Sequence, residues 1–329
     1  MFMDYEYIIS TFGFFINIFH LIILTQKSMR TTSINVILIG IALCDIYVLL
    51  VPGVQEIDRR MQNFSSLPPT PNRIFITLLA LGLRYEARRT STWLTFFMAL
   101  IRAVVVRKSA SKRVKTYTAP LFGVVVFVLT SILSSTFTVL HLVRQEIVQN
   151  GTCVVREGCV EYVEGTIIPT YKLVSIPLFA ANNNFLFKLL VSFDSVVSRV
   201  LPCLLFPIIT FFLIKELRKA KENRKKLSLT IPDKSRGDRT TKLVTYLTVT
   251  FFIAEFPLGM LYVIQANIQD PVLIAEISCV MDIFFLLLDA NSTSHFFICL
   301  AMSTQYRNTV RTTLHLAQKN RVKSSQSVS

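Results

Sequence analysis

The chain has 329 residues, of which 52% are hydrophobic and 17% charged, and its net charge at pH 7 is +15. The mean hydropathy is +0.52, and the apolar residues fall in runs of about 20, which is typical of membrane helices rather than of a soluble core. No catalytic triad, phosphate-binding glycine loop or cysteine pair with metal-ligand spacing occurs in the sequence. We therefore expect neither an enzyme nor a cofactor or metal site.

Seven apolar segments follow one another along the chain. They cover about residues 7–26, 34–54, 75–106, 119–142, 193–214, 243–264 and 274–302. Each is close to the length that a helix needs to cross a bilayer, and a helix satisfies its own backbone hydrogen bonds without water. The sequence therefore predicts an all-α membrane protein, with a seven-transmembrane helix bundle over residues 7–302.

The placement of the basic residues predicts the orientation of this bundle. Most of the 35 Lys and Arg residues lie in the connections after the first, third and fifth segments and behind the seventh. Because positive connections stay in the cytoplasm, the amino end is predicted outside and the carboxy end in the cytoplasm. Residues 1–6 then form a short extracellular amino end, 303–316 an amphipathic juxtamembrane helix and 317–329 a disordered cytoplasmic tail. The same distribution explains the positive charge without a nucleic-acid partner.

Two features of the predicted outer connections agree with this orientation. Asn63 and Asn150 each begin an Asn-X-Ser/Thr sequon, so we expect both to be glycosylated. The longest outer connection holds Cys153 and Cys159, and an oxidising compartment favours a disulfide between them. Cys279 lies close enough to the same membrane face to be an alternative partner.

Several strings carry a resemblance to a known family. They are HLIILTQKSMRTTSIN (20–35), RRTSTWLTFFMALIR (88–102), TKLVTYLTVTFFIAEFPLG (241–259) and NSTSHFFICLAMSTQYR (291–307). On these strings the chain resembles the nematode serpentine receptors of class W, rhodopsin-like G-protein-coupled receptors related to FMRFamide-type peptide receptors. The resemblance implies a plasma-membrane receptor for an extracellular neuropeptide or small chemosensory molecule. Its implied partners are that peptide or small-molecule ligand, a heterotrimeric G protein and membrane lipids.

The resemblance also implies residues for activation and G-protein coupling. Arg102, at the cytoplasmic end of the third segment, is expected to face the G protein, and Pro257 is expected to be a hinge in the sixth. Asn291 and His295 stand in the seventh-segment motif, although this motif usually contains a proline and a tyrosine. A second departure is Ile101, because the residue before this arginine is usually an acid.

A polar core is predicted in the middle of the bundle. Asp45 lies within the second apolar segment, where an isolated charge costs at least about 2.5–3.5 kcal/mol. It therefore needs partners, and the polar residues of the first and seventh segments are the candidates. We predict a hydrogen-bonded cluster of Asp45 with Asn17, Asp289 and Asn291.

The outer end of the third segment carries an unusual cluster of charges. Arg84 and Arg88 lie one turn apart on one face of a helix, and Glu86 can pair with Arg89 three residues further on. Acids of other segments can pair with these cations or with a basic ligand. We predict a ligand site formed by Arg84, Glu86, Arg88, Asp194 and Asp282. Such a mixed site suits either a peptide with a basic residue or a ligand with an acidic group.

Two other functions are compatible with seven spans, because topology does not assign function. A transporter or channel would need a continuous polar path through the membrane, and no inverted repeat is visible in the sequence. A degenerate receptor that no longer couples is the other alternative. It is suggested by Ile101, by the short amino end and by the lack of a cysteine at the top of the third segment.

Overall fold

The computed structural model describes residues 2–65, 68–107, 114–154, 165–227 and 234–314. Two antiparallel strands, β1 (Gln145–Val154) and β2 (Ile167–Ser175), form a hairpin, and a π-helical turn (Val196–Val200) joins α6 to α7. The helices are α1 (Phe2–Leu24), α2 (Ser33–Ser65), α3 (Pro71–Arg107), α4 (Val114–Thr118), α5 (Pro120–Val143), α6 (Pro177–Ser195), α7 (Leu201–Leu227), α8 (Lys234–Asn267), α9 (Pro271–Met302) and α10 (Thr304–Thr313).

The predicted seven-helix bundle is confirmed. Among the described residues, six helical stretches are long and apolar enough to cross a membrane, and α8 contributes a shorter apolar stretch, Phe251–Asn267. Two boundaries differ from the expectation. α1 begins at Phe2, so most of the predicted amino end continues the first helix, and the fifth span begins at Pro177 rather than near residue 193. The described part of the connection before that span contains the hairpin and the short first part of α6, which a kink at residues 181–184 separates from the rest of that helix.

The bundle has two distinct ends. The hairpin end carries β1, β2, the beginning of α3 and the beginning of α9. The Arg102 end carries the other end of α3 with the short helices α4 and α10. At the Arg102 end, the fully buried Tyr306 of α10 lies 2.7 Å from His20 Nδ1 of α1. Ser303 caps α10 by accepting a hydrogen bond from Tyr306 N, so this helix is fixed beneath α1 and α9.

α3 is the central helix of the bundle. It packs against α2, α5, α7 and the π-helical turn. Near the Arg102 end, the apolar side of α3 forms a cluster with α7 and α8, made of Phe96, Ala99, Cys203, Phe206 and Phe251. At the hairpin end, by contrast, the buried face of α3 is charged and includes Arg84, Arg88 and Arg89. One helix therefore combines an ordinary apolar core with three buried cations.

The helices α2 and α5 approach closely at one glycine. A Cβ atom added at Gly123 would lie 2.6 Å from the backbone oxygen of Ser33, which is shorter than any real Cβ contact. The Ser33 hydroxyl also donates a hydrogen bond to the backbone oxygen of Tyr117, at 2.6 Å. The absence of a side chain at Gly123 therefore sets the distance between these helices.

Candidate functional site

The first buried charge cluster lies at the hairpin end between α1, α3 and α9. Asp289 is fully buried. Its carboxylate accepts from Arg88 at 2.6 Å, from Arg84 at 3.2 Å and from Ser10 Oγ at 2.9 Å. Arg84 also donates to Glu6 at 2.7 Å, so two cations meet two carboxylates. We call these four charged residues the Asp289 cluster; it is neutral as a whole, as burial requires.

A second cluster surrounds Asp194 of α6. One carboxylate oxygen lies 3.0 Å from Arg89 Nη1 and 2.9 Å from His141 Nε2, and the other accepts from Ser198 Oγ at 2.6 Å. Arg89 also donates to the hydroxyl of Thr138. The carboxylate thus has partners on both oxygens, and it ties α3 and α5 to α6.

A third ion pair crosses between the π-helical turn and α8. Arg199 Nη1 donates to Glu255 Oε2 at 2.8 Å, and both side chains are buried. The guanidinium also lies 5.0 Å from the centre of the Tyr262 ring. Glu255 stands two residues before Pro257, within α8. This pair therefore links the fifth span directly to the proline-containing part of the sixth.

Asp45 of α2 is the centre of a fourth polar group. Its carboxylate oxygens lie 2.7 Å from His295 Nδ1 and 3.2 Å from the Ser91 hydroxyl. Asp45 is 1% exposed. These residues line a cavity of about 30 Å³ together with Glu255 and Asn291. Asp45 and Glu255 therefore face one small cavity, which is large enough to hold water.

A much larger cavity opens at the hairpin end. Its volume is about 590 Å³, within the range of about 300–1,000 Å³ that is usual for small-molecule sites. The walls come from α3, α5, α6, the π-helical turn, α8 and α9, and the hairpin contributes Gln145 and Leu173. The polar side chains in the wall are Tyr85, Arg89, Thr138, His141, Arg144, Gln145, Asn184, Lys188, Asp194, Ser195, Ser198, Arg199, Tyr262, Gln265 and Gln269. We call this space the hairpin cavity.

The predicted ligand-site residues do not all meet at this cavity. Asp194 lines it, whereas Arg84 and Arg88 belong to the Asp289 cluster. Glu86 accepts a hydrogen bond from Ser135 Oγ at 2.6 Å rather than pairing with Arg89, because Arg89 is drawn to Asp194 instead. Asp282 is exposed on α9 and lines neither cavity.

The predicted polar core is divided in the structure. Asp289 lies among arginines, whereas Asp45 and Asn291 share the small cavity. Asn17 donates to the backbone oxygens of Gly13 and Ser292, and its own Oδ1 is buried without a partner among the described residues. The residues predicted as one hydrogen-bonded group are therefore separated, because Asp289 pairs with the cations of α3 and Asn17 bonds to backbone oxygens.

At the Arg102 end, Ile101 stands where related receptors usually have an acid, and its packing gives a reason. Ile101 is buried and packs with Ile37, Ile41 and Leu94 in a cluster that joins α2 to α3. An acid at this position would replace an apolar side chain of that cluster. Arg102 has no ion pair with any acid whose side chain the structure describes.

The predicted modification sites lie at the hairpin end. Asn150 is exposed on β1, and Asn63 lies near the end of α2. Cys153 carries a free thiol, and Cys159 lies outside the described residues. The Cys153–Cys159 bridge therefore stays a prediction.

Comparison with known proteins identifies the family. Residues 4–316 match the serpentine type 7TM GPCR chemoreceptor family Srw. The chain belongs to this family. It is also 24% identical over 335 aligned positions to the G-protein coupled receptor dmsr-1 of Caenorhabditis elegans, an alignment that covers 90% of this chain and 64% of the relative. The chain thus spans a little under two thirds of that relative's length. As an Srw protein with six to seven apolar helices, it is a multi-pass membrane protein of a class typically found at the plasma membrane.

The sequence analysis did not predict that Arg144 and Arg199 of this Srw protein line the hairpin cavity. Arg199 is a cation within an apolar segment, and Glu255 is an acid within another. Opposite charges inside membrane segments are expected to pair, so this signal could have found the Arg199–Glu255 pair. Arg144 carries no comparable signal, because its place in the cavity depends on how the hairpin folds back over the bundle.

Proposed function

We propose that this Srw protein is a G-protein-coupled receptor that binds an extracellular ligand in the hairpin cavity. The hairpin end faces the outside in this proposal, and the Arg102 end faces the cytoplasm and a heterotrimeric G protein. The observation that carries the proposal is the hairpin cavity itself, whose wall surface is mainly apolar but includes convergent polar side chains. Cavities of this kind are the usual sites of small ligands. The relative's designation as a G-protein coupled receptor agrees with this assignment.

The hairpin cavity is connected to the middle of the bundle by one ion pair. Arg199 lines the hairpin cavity, and its partner Glu255 lines the small cavity beside Asp45. A ligand that shifts Arg199 therefore changes the electrostatic environment of Glu255. Glu255 is two residues from Pro257, which has no backbone N–H. The change at Glu255 therefore acts in the part of α8 where one carbonyl lacks its helical hydrogen bond.

In this proposal the small cavity offers Glu255 partners other than Arg199. Glu255 also lies 3.5 Å from the Thr92 hydroxyl, a long contact that is easily exchanged. Asp45 holds His295 of α9 on the opposite wall. Loss of the Arg199 contact leaves Glu255 with the long Thr92 contact or with water, and α8 is then free to move relative to the fifth span. Movement of α8 opens the Arg102 end, where Arg102 meets the G protein.

The ligand is a neuropeptide or a small chemosensory molecule in this proposal. A volume of about 590 Å³ accommodates either a small molecule or the terminal residues of a peptide. Arg89 and Asp194 tie three of the cavity walls together, so the polar wall is preorganised rather than assembled on binding. Preorganisation reduces the entropic cost of binding.

A ligand screen tests this proposal. The full chain is expressed in cells with a promiscuous G protein, and peptide and odorant libraries are applied. We expect at least one ligand to produce a receptor-dependent response. Val191→Trp, which places a large side chain in the hairpin cavity, should abolish it, whereas Val196→Trp should not, because Val196 is 44% exposed and lines neither cavity. A surface-expressed chain that never responds contradicts coupling, and a response that survives Val191→Trp contradicts the site.

A further inference from the structure

The hairpin cavity contains two cations that no described side chain neutralises. Arg144 caps the C-terminal end of α5, and Lys188 lies on α6. Both line the cavity, and neither forms an ion pair with another described residue. The Arg144 guanidinium lies 4.6 Å from the centre of the Phe187 ring. The ring covers one face of the guanidinium and leaves its edge of N–H donors for another partner.

The other charges of the cavity are already paired. Arg89 binds Asp194, and Arg199 binds Glu255. Asp194 also accepts from His141 and Ser198, so its oxygens are occupied. A basic group on a ligand would have to displace one of these contacts to reach a carboxylate. An acidic group, by contrast, would meet Arg144 and Lys188, which are unpaired among the described residues. These charges therefore favour a ligand with an acidic group over a peptide with a basic residue.

Two polar atoms of Arg144 and Gln145 indicate which ligand group lies next to the acidic group. The Arg144 Nε and the Gln145 Oε1 are both buried, and neither has a hydrogen-bond partner among the described residues. One is a donor and the other an acceptor, on adjacent residues. Buried polar atoms are normally satisfied by protein, water or ligand. Burial also lowers the pKa of the Arg144 guanidinium, a cost that a bound anion would offset.

We propose that this side of the hairpin cavity binds the carboxylate of a ligand that also carries an N–H group close to it. The guanidinium fork matches a carboxylate in two hydrogen bonds, Lys188 adds a second positive charge, and the neighbouring N–H donates to Gln145 Oε1. N-acyl amino acids and peptides with a free carboxy terminus have this chemistry. A carboxamide in the same place supplies no negative charge. The inference rests on the proposed function, because it takes the hairpin cavity as the ligand site.

Binding to the purified full-length protein tests the inference without any need for signalling. The probes are N-acetyl amino acids and N-acetyl tripeptides, each as the free acid and as the carboxamide, and the readout is the dependence of the thermal unfolding midpoint on probe concentration. We expect at least one acid to raise the midpoint and its carboxamide to bind at least about tenfold more weakly. Whether the amino acids or the tripeptides bind better distinguishes a small metabolite from a peptide terminus.

Substitutions locate the bound acid. Arg144→Gln should weaken binding of the acid by about 10- to 100-fold and remove the preference over the carboxamide, and Arg144→Lys should retain part of that preference. Lys188→Gln should weaken binding several-fold. The matched control is Lys172→Gln, because Lys172 is exposed on β2 and does not line the cavity. If Arg144→Gln does not fold, the Lys188→Gln result decides.

The outcomes separate this inference from the proposed function. Equal binding of acids and carboxamides, no stabilisation by any acid, or full binding in both cavity variants overturns the inference, even if the cells respond to another ligand. Binding of acids that depends on Arg144, in a surface-expressed chain that never gives a G-protein response, supports the site and contradicts the receptor assignment.

Discussion

The Asp289 cluster makes a direct prediction about stability. In Asp289→Asn, the buried Arg88 loses its carboxylate, while Arg84 retains Glu6. Removing one partner of a buried ion pair typically costs about 3–5 kcal/mol, because the remaining charge has no compensation. Ser10 Oγ keeps a partner, since an amide oxygen can still accept its hydrogen bond. We therefore expect Asp289→Asn to lower the free energy of unfolding by about 3–5 kcal/mol.

The measurement uses cysteines that are already in the protein. Cys203 is fully buried and Cys44 is 8% exposed, whereas Cys279 is exposed, so the labelling by a thiol-reactive fluorophore that is gained on heating reports unfolding of the detergent-solubilised protein. Asp282→Asn is the matched control on the same helix, because Asp282 is exposed and its substitution should change stability by less than about 0.5 kcal/mol.

A double variant tests whether charge balance is the cause. Combining Asp289→Asn with Arg88→Gln leaves one cation, Arg84, with one carboxylate, Glu6. The double variant should therefore be more stable than Asp289→Asn alone, with a coupling energy of about 0.5–3 kcal/mol. Additive losses, or an Asp289→Asn variant as stable as the Asp282→Asn control, would refute the reasoning.

Three further predictions concern packing, the cluster at Ile101 and the orientation. Gly123→Ala should lower the free energy of unfolding by about 1–3 kcal/mol, because the added Cβ forces α2 and α5 apart. The control Gly53→Ala should be neutral or stabilising, because a Cβ added there meets no atom within 4 Å. Equal thermal unfolding midpoints of the two variants would argue against a close helix contact. Ile101→Asp should cost about 2–4 kcal/mol and Ile101→Val less than about 1.5 kcal/mol; a stable Ile101→Asp would contradict the apolar cluster. Asn150→Gln should remove one glycan from the cell-surface protein, seen as a smaller mass on a gel before but not after glycosidase treatment; an unchanged mass would mean that Asn150 is not glycosylated.

The helices could be predicted from the sequence because each is encoded locally. The fourth span was expected over residues 119–142 and forms Pro120–Val143, since hydropathy and the proline at its start define both ends. The sixth is longer than expected, Lys234–Asn267, because a charged extension is helical without being apolar. The hairpin was not predicted, as its pairing depends on contacts between two partly exposed strands in which apolar and polar residues do not alternate regularly.

The partners of the buried charges could not be predicted to the same extent. Asp289 and Arg88 are 201 residues apart, and neither local spacing nor propensity determines which acid a cation meets. The helical spacing did place Arg84 and Arg88 on one face, and they do share Asp289. It failed for Glu86 and Arg89, because Asp194 competes for Arg89 from another helix.

The most direct test of the receptor assignment is the response of Arg102→Ala. The variant and the unmodified chain are compared with the same agonist from the ligand screen, with surface expression and ligand binding measured in parallel. The proposal predicts that the G-protein response is lost while both expression and ligand binding remain, because Arg102 lies at the opposite end of α3 from the hairpin cavity. An unchanged response in a variant that is expressed at the surface would contradict the proposed coupling.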